Sequence, residues 1–171
     1  MREGSQTNVP KSSQDDPEES FMNPNAEMII DIPFHDVDML HIVWHGHYYK
    51  YLELARTELF RKYDCDVDQL KALGYYLPIT DSRCRHLAPL KYGMRARITA
   101  TLKEWEYRFV VAYKITDSKT GKRLAKGQTT QVSVVSETNT LCMVSPMVLV
   151  EKFFPTGVKT AAGEAQGQEG S

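Results

Sequence analysis

The chain has 171 residues, a formal net charge of −1, 42% hydrophobic and 25% charged residues, an ordinary globular balance. That length fits one domain able to bury a core without metals or disulfides. The near-zero charge excludes the strong basic excess of a dedicated nucleic-acid binder. No apolar run approaches the roughly 20 residues of a membrane span, and the opening MREGSQTNVPKSSQDD lacks the apolar stretch of a secretory signal.

Residues 1–25 carry only Met1, Val9, Phe21 and Met22 as apolar side chains. The rest is too polar to offset the entropy of ordering, so this stretch reads as a disordered tail. Residues 156–171 (TGVKTAAGEAQGQEGS) read the same way, with Val158 their one large apolar residue. The expected domain is 26–155. The tails carry −3 and −1, so the domain itself carries about +3, a mild preference for an anionic ligand.

Ala26 to Phe34 (AEMIIDIPF) reads as a strand ending near Pro33. Residues 35–47 form a loop dense in His and Asp. From Tyr48 the period changes: Tyr48, Leu52, Ala55, Leu59 and Tyr63 make one helical stripe. Asp64 to Gly74 (DCDVDQLKALG) fits a short second helix stopped by Gly74. Tyr76 to Leu87 alternates loosely. Arg95 to Trp105 and Arg108 to Thr116 read as strands, joined by a hairpin at Ser118 to Lys122 (SKTGK) to a long strand over Arg123 to Ser136. Glu137 to Thr140 turns the chain again, and Pro146 to Phe154 suggests a closing helix. The plan is α+β, one long helix against one antiparallel sheet. The three cysteines, Cys65, Cys84 and Cys142, include no CxxC. They read as reduced, mostly buried thiols of a cytoplasmic protein.

Four of the five histidines, His35, His41, His45 and His47, lie within the loop, together with Asp36 and Asp38. A solvated, helix-capping loop is the plainest account. His45-Gly46-His47 followed by Glu53 loosely resembles the HxH-plus-Glu metal set of cupins. Those ligands sit on adjacent strands, however, whereas Glu53 falls on the expected helix, so no metal is assigned. The third account is catalysis. A carboxylate is aimed at a carbonyl held by the free N–H groups at the helix start.

The stretch Phe34-His35-Asp36-Val37-Asp38-Met39-Leu40-His41-Ile42-Val43-Trp44-His45-Gly46-His47-Tyr48-Tyr49, followed by Tyr51-Leu52-Glu53-Leu54-Ala55-Arg56, resembles the signature of the 4-hydroxybenzoyl-CoA thioesterase family. The resemblance covers about residues 27–150. It implies a hotdog fold, an antiparallel sheet wrapped around a long central helix. By the same resemblance Asp38 matches the catalytic aspartate, and His45 matches the position whose main-chain N–H bonds the thioester oxygen. Two positions depart from the motif: His41 stands where the family has Gly, and His47 where Asn is common.

The activity implied is hydrolysis of a fatty or aromatic acyl-CoA, or acyl carrier protein thioester, to free acid and thiol. Asp38 acts as nucleophile or general base, helix N-terminal N–H groups polarise the carbonyl, and no cofactor is needed. His41, Trp44, His47, Tyr48, Arg85 and Lys91 are the expected substrate-binding residues; Arg83, Arg95 and Arg97 are further phosphate candidates. Asp36 reads as structural, pairing with an arginine. Glu53 and Glu58 read as helix-surface partners of Arg56 and Arg61. A hotdog dehydratase or hydratase using His47 with Glu53, and a silent acyl-CoA-binding protein, are the alternatives. The family resemblance also implies a homodimer or homotetramer, consistent with an exposed sheet edge.

Overall fold

The computed structural model describes residues 23–155. The tails read at 1–25 and 156–171 lie outside the described residues except for their inner edge. There the fold reaches further than the sequence suggests: β1 begins at Asn25, and the Pro24 carbonyl accepts from the Leu102 N–H at 2.8 Å.

Strands β1 (Asn25–Asp31), β3 (Ile79–His86), β4 (Arg95–Glu104), β5 (Phe109–Asp117) and β6 (Arg123–Gln131) form an antiparallel sheet in the order β1-β4-β5-β6-β3. The helix α1 (His47–Lys62) packs on β1 and β4. Its buried face is the predicted stripe of Tyr48, Leu52, Ala55 and Leu59, widened by Tyr51 and Phe60, with Tyr63 half-buried. The sheet presents Ala96, Ile98, Ala100, Leu102, Val111, Ile115 and Leu124 to the same core, as period-two alternation requires. Gly127 in β6 makes room for the helix. A Cβ there would stand 2.7 Å from a Leu52 methyl and 3.1 Å from the Arg83 carbonyl.

The helix α2 (Val67–Ala72) is shorter than the expected 64–74 span. Asp66 caps it by accepting from the Val67 N–H, and Gly74 ends it at φ +82°. Gly121 likewise adopts φ +72° in the β5–β6 hairpin. The closing helix α3 (Met147–Phe153) is present.

Two elements differ from the sequence reading. β1 stops at Asp31, not Phe34. Pro33 has no N–H to donate, and Phe34–Asp36 wind into one 3-10 turn. The long strand over 123–136 is broken: β6 ends at Gln131, and Val134–Val135 form β7 of a second sheet, between β2 (Tyr75–Tyr76) and β8 (Thr140–Leu141). β3 shifts register between Ile79 and Asp81 opposite the end of β6, and the chain leaves the main sheet there.

Candidate active site

The site is built on the loop from the 3-10 turn to α1. Val37 bridges to Val43 and Ile42 to Lys91, while the Val43 N–H donates to the Leu90 carbonyl at 2.9 Å. These bonds fasten the loop to the segment before β4. Inside it, the Asp38 N–H donates to the Ile42 carbonyl and the His41 N–H to the Asp38 carbonyl, both at 2.9 Å. The Leu40 N–H donates to Asp38 Oδ1 at 2.8 Å. The Asp38 carboxylate is thereby oriented by its own turn, with Oδ2 uncommitted among the described residues.

His41 closes this turn at φ +57°. That is the left-handed region where glycine is ordinarily preferred. It explains the glycine of the family motif: the backbone conformation is required, and His41 adopts it with its side chain in solvent.

Asp36 is buried and anchors the loop to the helix. Its Oδ2 accepts from the Tyr51 hydroxyl at 2.7 Å, and its carboxylate accepts from Lys50 Nζ at 3.2 and 3.3 Å. His47 Nδ1 lies 3.1 Å from both its carbonyl and its carboxylate oxygen, and the Trp44 N–H donates to the Asp36 carbonyl at 3.0 Å. Burial alone would raise the Asp36 pKa. The hydrogen bonds from Tyr51 and Lys50, with the charges of Lys50 and His47, outweigh it and hold the carboxyl below its ordinary value. Burial and the Asp36 bond push the Tyr51 hydroxyl up. Asp36 is thus structural as expected, but its partners are lysine, tyrosine and histidine, not arginine. The signal was available: His47, Lys50 and Tyr51 stand at i, i+3 and i+4 on one helix face.

The helix start is Gly46, in α conformation at φ −65°, with no side-chain cap. Any side chain at Gly46 would overlap the Trp44 indole, which lies across it. Among the described residues, the backbone N–H groups of His45 and Gly46 donate to no acceptor. They are open donors at the positive end of the helix.

The predicted residues divide accordingly. The loop carries Asp38, His41, Trp44 and His45, and its Ile42 bridges to Lys91. His47 is committed to Asp36, a role that ligand binding did not anticipate. Tyr48 belongs to the core: it is buried, accepts from the Leu90 N–H at 3.3 Å and packs edge-on against His86 at 4.3 Å. Arg85 precedes His86 on β3, so its side chain leaves the opposite face of the strand. Arg83, Arg95 and Arg97 are paired with Asp81, Asp31 and Glu27. Glu53 and Glu58 pair with Arg56 and Arg61 as expected, Glu58–Arg61 on the helix surface and Arg56 largely buried. Cys65 is buried and Cys84 and Cys142 half-buried, all three free. Among the described residues no group of three His, Cys, Asp or Glu is placed to hold a metal ion, and no helix is long and apolar enough to cross a membrane.

Sequence reasoning missed an apolar rim. Phe34, Met39, Leu40 and Tyr92 are exposed around the loop, Phe34 and Tyr92 meeting edge to face at 5.6 Å. It also missed a cavity of about 470 Å³ behind the second half of α1, bounded by α2 and β2, whose walls include neither Asp38 nor His45.

Residues 32–152 match the model of the Thioesterase-like superfamily, and the chain belongs to that family. It has the hotdog fold. Slr0204, a 1,4-dihydroxy-2-naphthoyl-CoA thioesterase from Synechocystis, superposes with a TM-score of 0.68 at 16% identity, over 77% of this chain and 97% of that one. A 4-hydroxybenzoyl CoA thioesterase variant complexed with 4-hydroxybenzoyl CoA superposes at 0.66 and 20% identity, over 76% and 99%. In sequence, the chain is 29% identical over 109 residues to a Synechocystis protein named "Putative esterase sll0410". That alignment spans 63% of this chain and 66% of the relative, just under two thirds of its length.

Proposed function

We propose that the protein is a thioester hydrolase acting on a fatty or aromatic acyl-CoA, or the corresponding acyl carrier protein thioester. The observation that carries this reading is the pairing, in one braced loop, of an oriented Asp38 carboxylate with open N–H donors at His45 and Gly46. A thioester carbonyl placed between them meets an attacking or proton-accepting carboxylate on one side and oxyanion donors on the other. As a nucleophile, Asp38 forms a mixed anhydride and expels the thiolate; water then hydrolyses the anhydride and restores the carboxylate. As a general base, Asp38 takes a proton from water, the hydroxide adds to the carbonyl, and the thiol leaves. Both routes consume one water and yield one acid and one thiol.

Support for the carrier comes from charge. Lys91 is uncommitted beside the loop and Arg85 uncommitted on β3 among the described residues, suited to the phosphates of coenzyme A or to an acidic carrier protein. The two solved thioesterases above act on aromatic acyl-CoAs by their descriptions, which supports including aromatic substrates. The apolar rim of Phe34, Met39, Leu40 and Tyr92 suits an acyl group or a partner subunit. β3 pairs only with β6, leaving an eight-residue edge open among the described residues. An edge of that length is suited to a second copy, hence a homodimer or homotetramer.

The dehydratase alternative finds less support. His47 is held by Asp36 and Glu53 by Arg56, so the pair is otherwise engaged within the chain.

The test is thiol release across short, long, branched and aromatic acyl-CoAs and one acyl carrier protein substrate. Free thiol is expected from at least one. In H₂¹⁸O, label entering the Asp38 carboxylate identifies it as the nucleophile, because the general-base route never exchanges its oxygens with water. Binding of acyl-CoA with no thiol released from any substrate would instead support the silent binding protein, and loss of water from a 3-hydroxyacyl thioester would support the dehydratase.

A further inference from the structure

The outer face of the main sheet carries a row of positive charge. Arg85 on β3 stands directly opposite Lys126 on β6, and Lys126 directly opposite Lys114 on β5. Residues paired in this way project from the same face of a sheet. Their strand neighbours Ala125 and Ile115 are buried in the core, so the three cations point away from it, and all three are exposed. None of the three has a partner among the described residues. Their same-face neighbours Ala112, Thr116 and Gln128 are uncharged, and Arg83 is engaged by Asp81. Across β4 the row continues through Thr99 to Glu27, which is held by Arg97 and Thr99.

Like charges directly opposite across a sheet are destabilising, and Lys126 faces a cation on each side. A multivalent anion relieves both contacts at once. The strands space the row at about 4.8 Å, close to the roughly 5.4 Å rise of one helical turn. An acidic helix lying across the strands, with one carboxylate per turn, therefore meets all three cations. None of the three lines the cavity behind α1. They stand on an open strand face, whereas small ligands are held in concave sites. The chain also lacks the basic excess that nucleic acid requires. The row lies near the loop: residues 85–90 span at most about 18 Å, and the Leu90 carbonyl accepts from the Val43 N–H. An extended phosphopantetheine arm covers a comparable distance.

We propose that this row docks the acidic face of an acyl carrier protein, its helical carboxylates on Arg85, Lys126 and Lys114 and its acyl arm passed to the Asp38 loop. The proposal deepens the hydrolase reading above and rests on it for the fate of the arm. Docking itself is measured without turnover.

Anisotropy titration of the full-length protein with a dye-labelled holo acyl carrier protein of a type II fatty-acid synthase measures docking. The kcat/KM values on octanoyl carrier protein and octanoyl-CoA measure delivery. The native protein should bind the carrier, more weakly as salt is raised. Lys114→Gln with Lys126→Gln should weaken docking and lower kcat/KM on the carrier substrate by about tenfold, two exposed charge pairs being lost, while octanoyl-CoA hydrolysis stays unchanged. The double substitution relieves a like-charge contact, so its Tm should be no lower than the native value, and lost docking is then not lost folding. Docking weakened by the double substitution, with no thiol released from either substrate, upholds the docking site and removes the hydrolase reading. No docking by the native protein, or docking and turnover untouched by the double substitution, overturns the proposal. Equal losses on both substrates assign the row to coenzyme A phosphates. Lost binding to phosphatidylglycerol vesicles with carrier turnover unchanged assigns it to a membrane surface. Either of these results also overturns it.

Discussion

The Tyr51 hydroxyl donates to Asp36 Oδ2 at 2.7 Å across fifteen residues of chain. This one bond joins the 3-10 turn to the second turn of α1, both partners buried. With Lys50 and His47 it completes the ligation of a buried carboxylate. Removing one partner of such a cluster leaves charge without compensation. Asp36→Ala is expected to cost about 3 kcal/mol, a fall in Tm of roughly 10 °C for a domain of this size, measured by thermal melts.

The same cluster fixes a pH dependence. The folded pKa of Asp36 is lowered, so its contribution is fully present above the unfolded value of about 3.9. It is lost as pH falls through the lower folded value. The Tm difference between the native protein and Asp36→Asn should therefore be constant near neutrality and shrink below about pH 4. A difference that instead grew on acidification would contradict the lowered pKa.

Asp38→Asn isolates the chemistry from the loop. Asparagine keeps an oxygen to accept from the Leu40 N–H, so Tm should stay within about 2 °C, a stability change of under about 1 kcal/mol. Thiol release should fall at least about 100-fold, the lower range for loss of a catalytic acid or base. A near-native rate would remove Asp38 from the mechanism.

His41→Gly should stabilise the loop. The left-handed conformation costs an L-residue about 1–2 kcal/mol, and glycine gives back part of that gain through the freedom of its unfolded chain. A net gain of about 0.5–1 kcal/mol is expected, readable by denaturant melts, with activity retained. His41→Val should destabilise.

Gly46→Ala tests the helix start. The backbone at Gly46 suits alanine, so any loss comes from the Trp44 indole being displaced. A drop in thiol release of tenfold or more and a shift in tryptophan emission are expected. Made in a Trp44→Ala background, the same Gly46→Ala substitution should have little effect on stability. Two additive losses would show that the indole contact is not the reason for glycine.

Much of this architecture was legible in the sequence. The stripe Tyr48, Leu52, Ala55, Leu59 defines α1 because a core-facing helix must repeat its apolar positions, and Gly74 and Gly121 mark turns because both take positive φ. The break between Gln131 and Val134 was hidden, since no glycine or proline marks the point where the strand changes sheets. Tyr48 was read both as part of that stripe and as a substrate-binding residue, and its burial bears out the first. An aromatic residue at a helix start is suited to pocket or core alike, and only its packing on His86 and Leu90 decides. Asp38 could be located from its motif, but not its Leu40 bond. The cavity could not be read at all, because Arg56 and Phe60 meet Leu70 and Leu77 only through the tertiary fold.

The bridge between Val37 and Val43, together with the Asp36 anchor, makes residues 39–41 an exchangeable insert. Both ends of the insert are pinned by bonds that do not involve its own side chains. Met39 and Leu40 project into solvent and support nothing in the core. This short tip is therefore the place where library mutagenesis can vary the surface beside Asp38 at little risk to the core, with Asp38 kept and the helix left untouched.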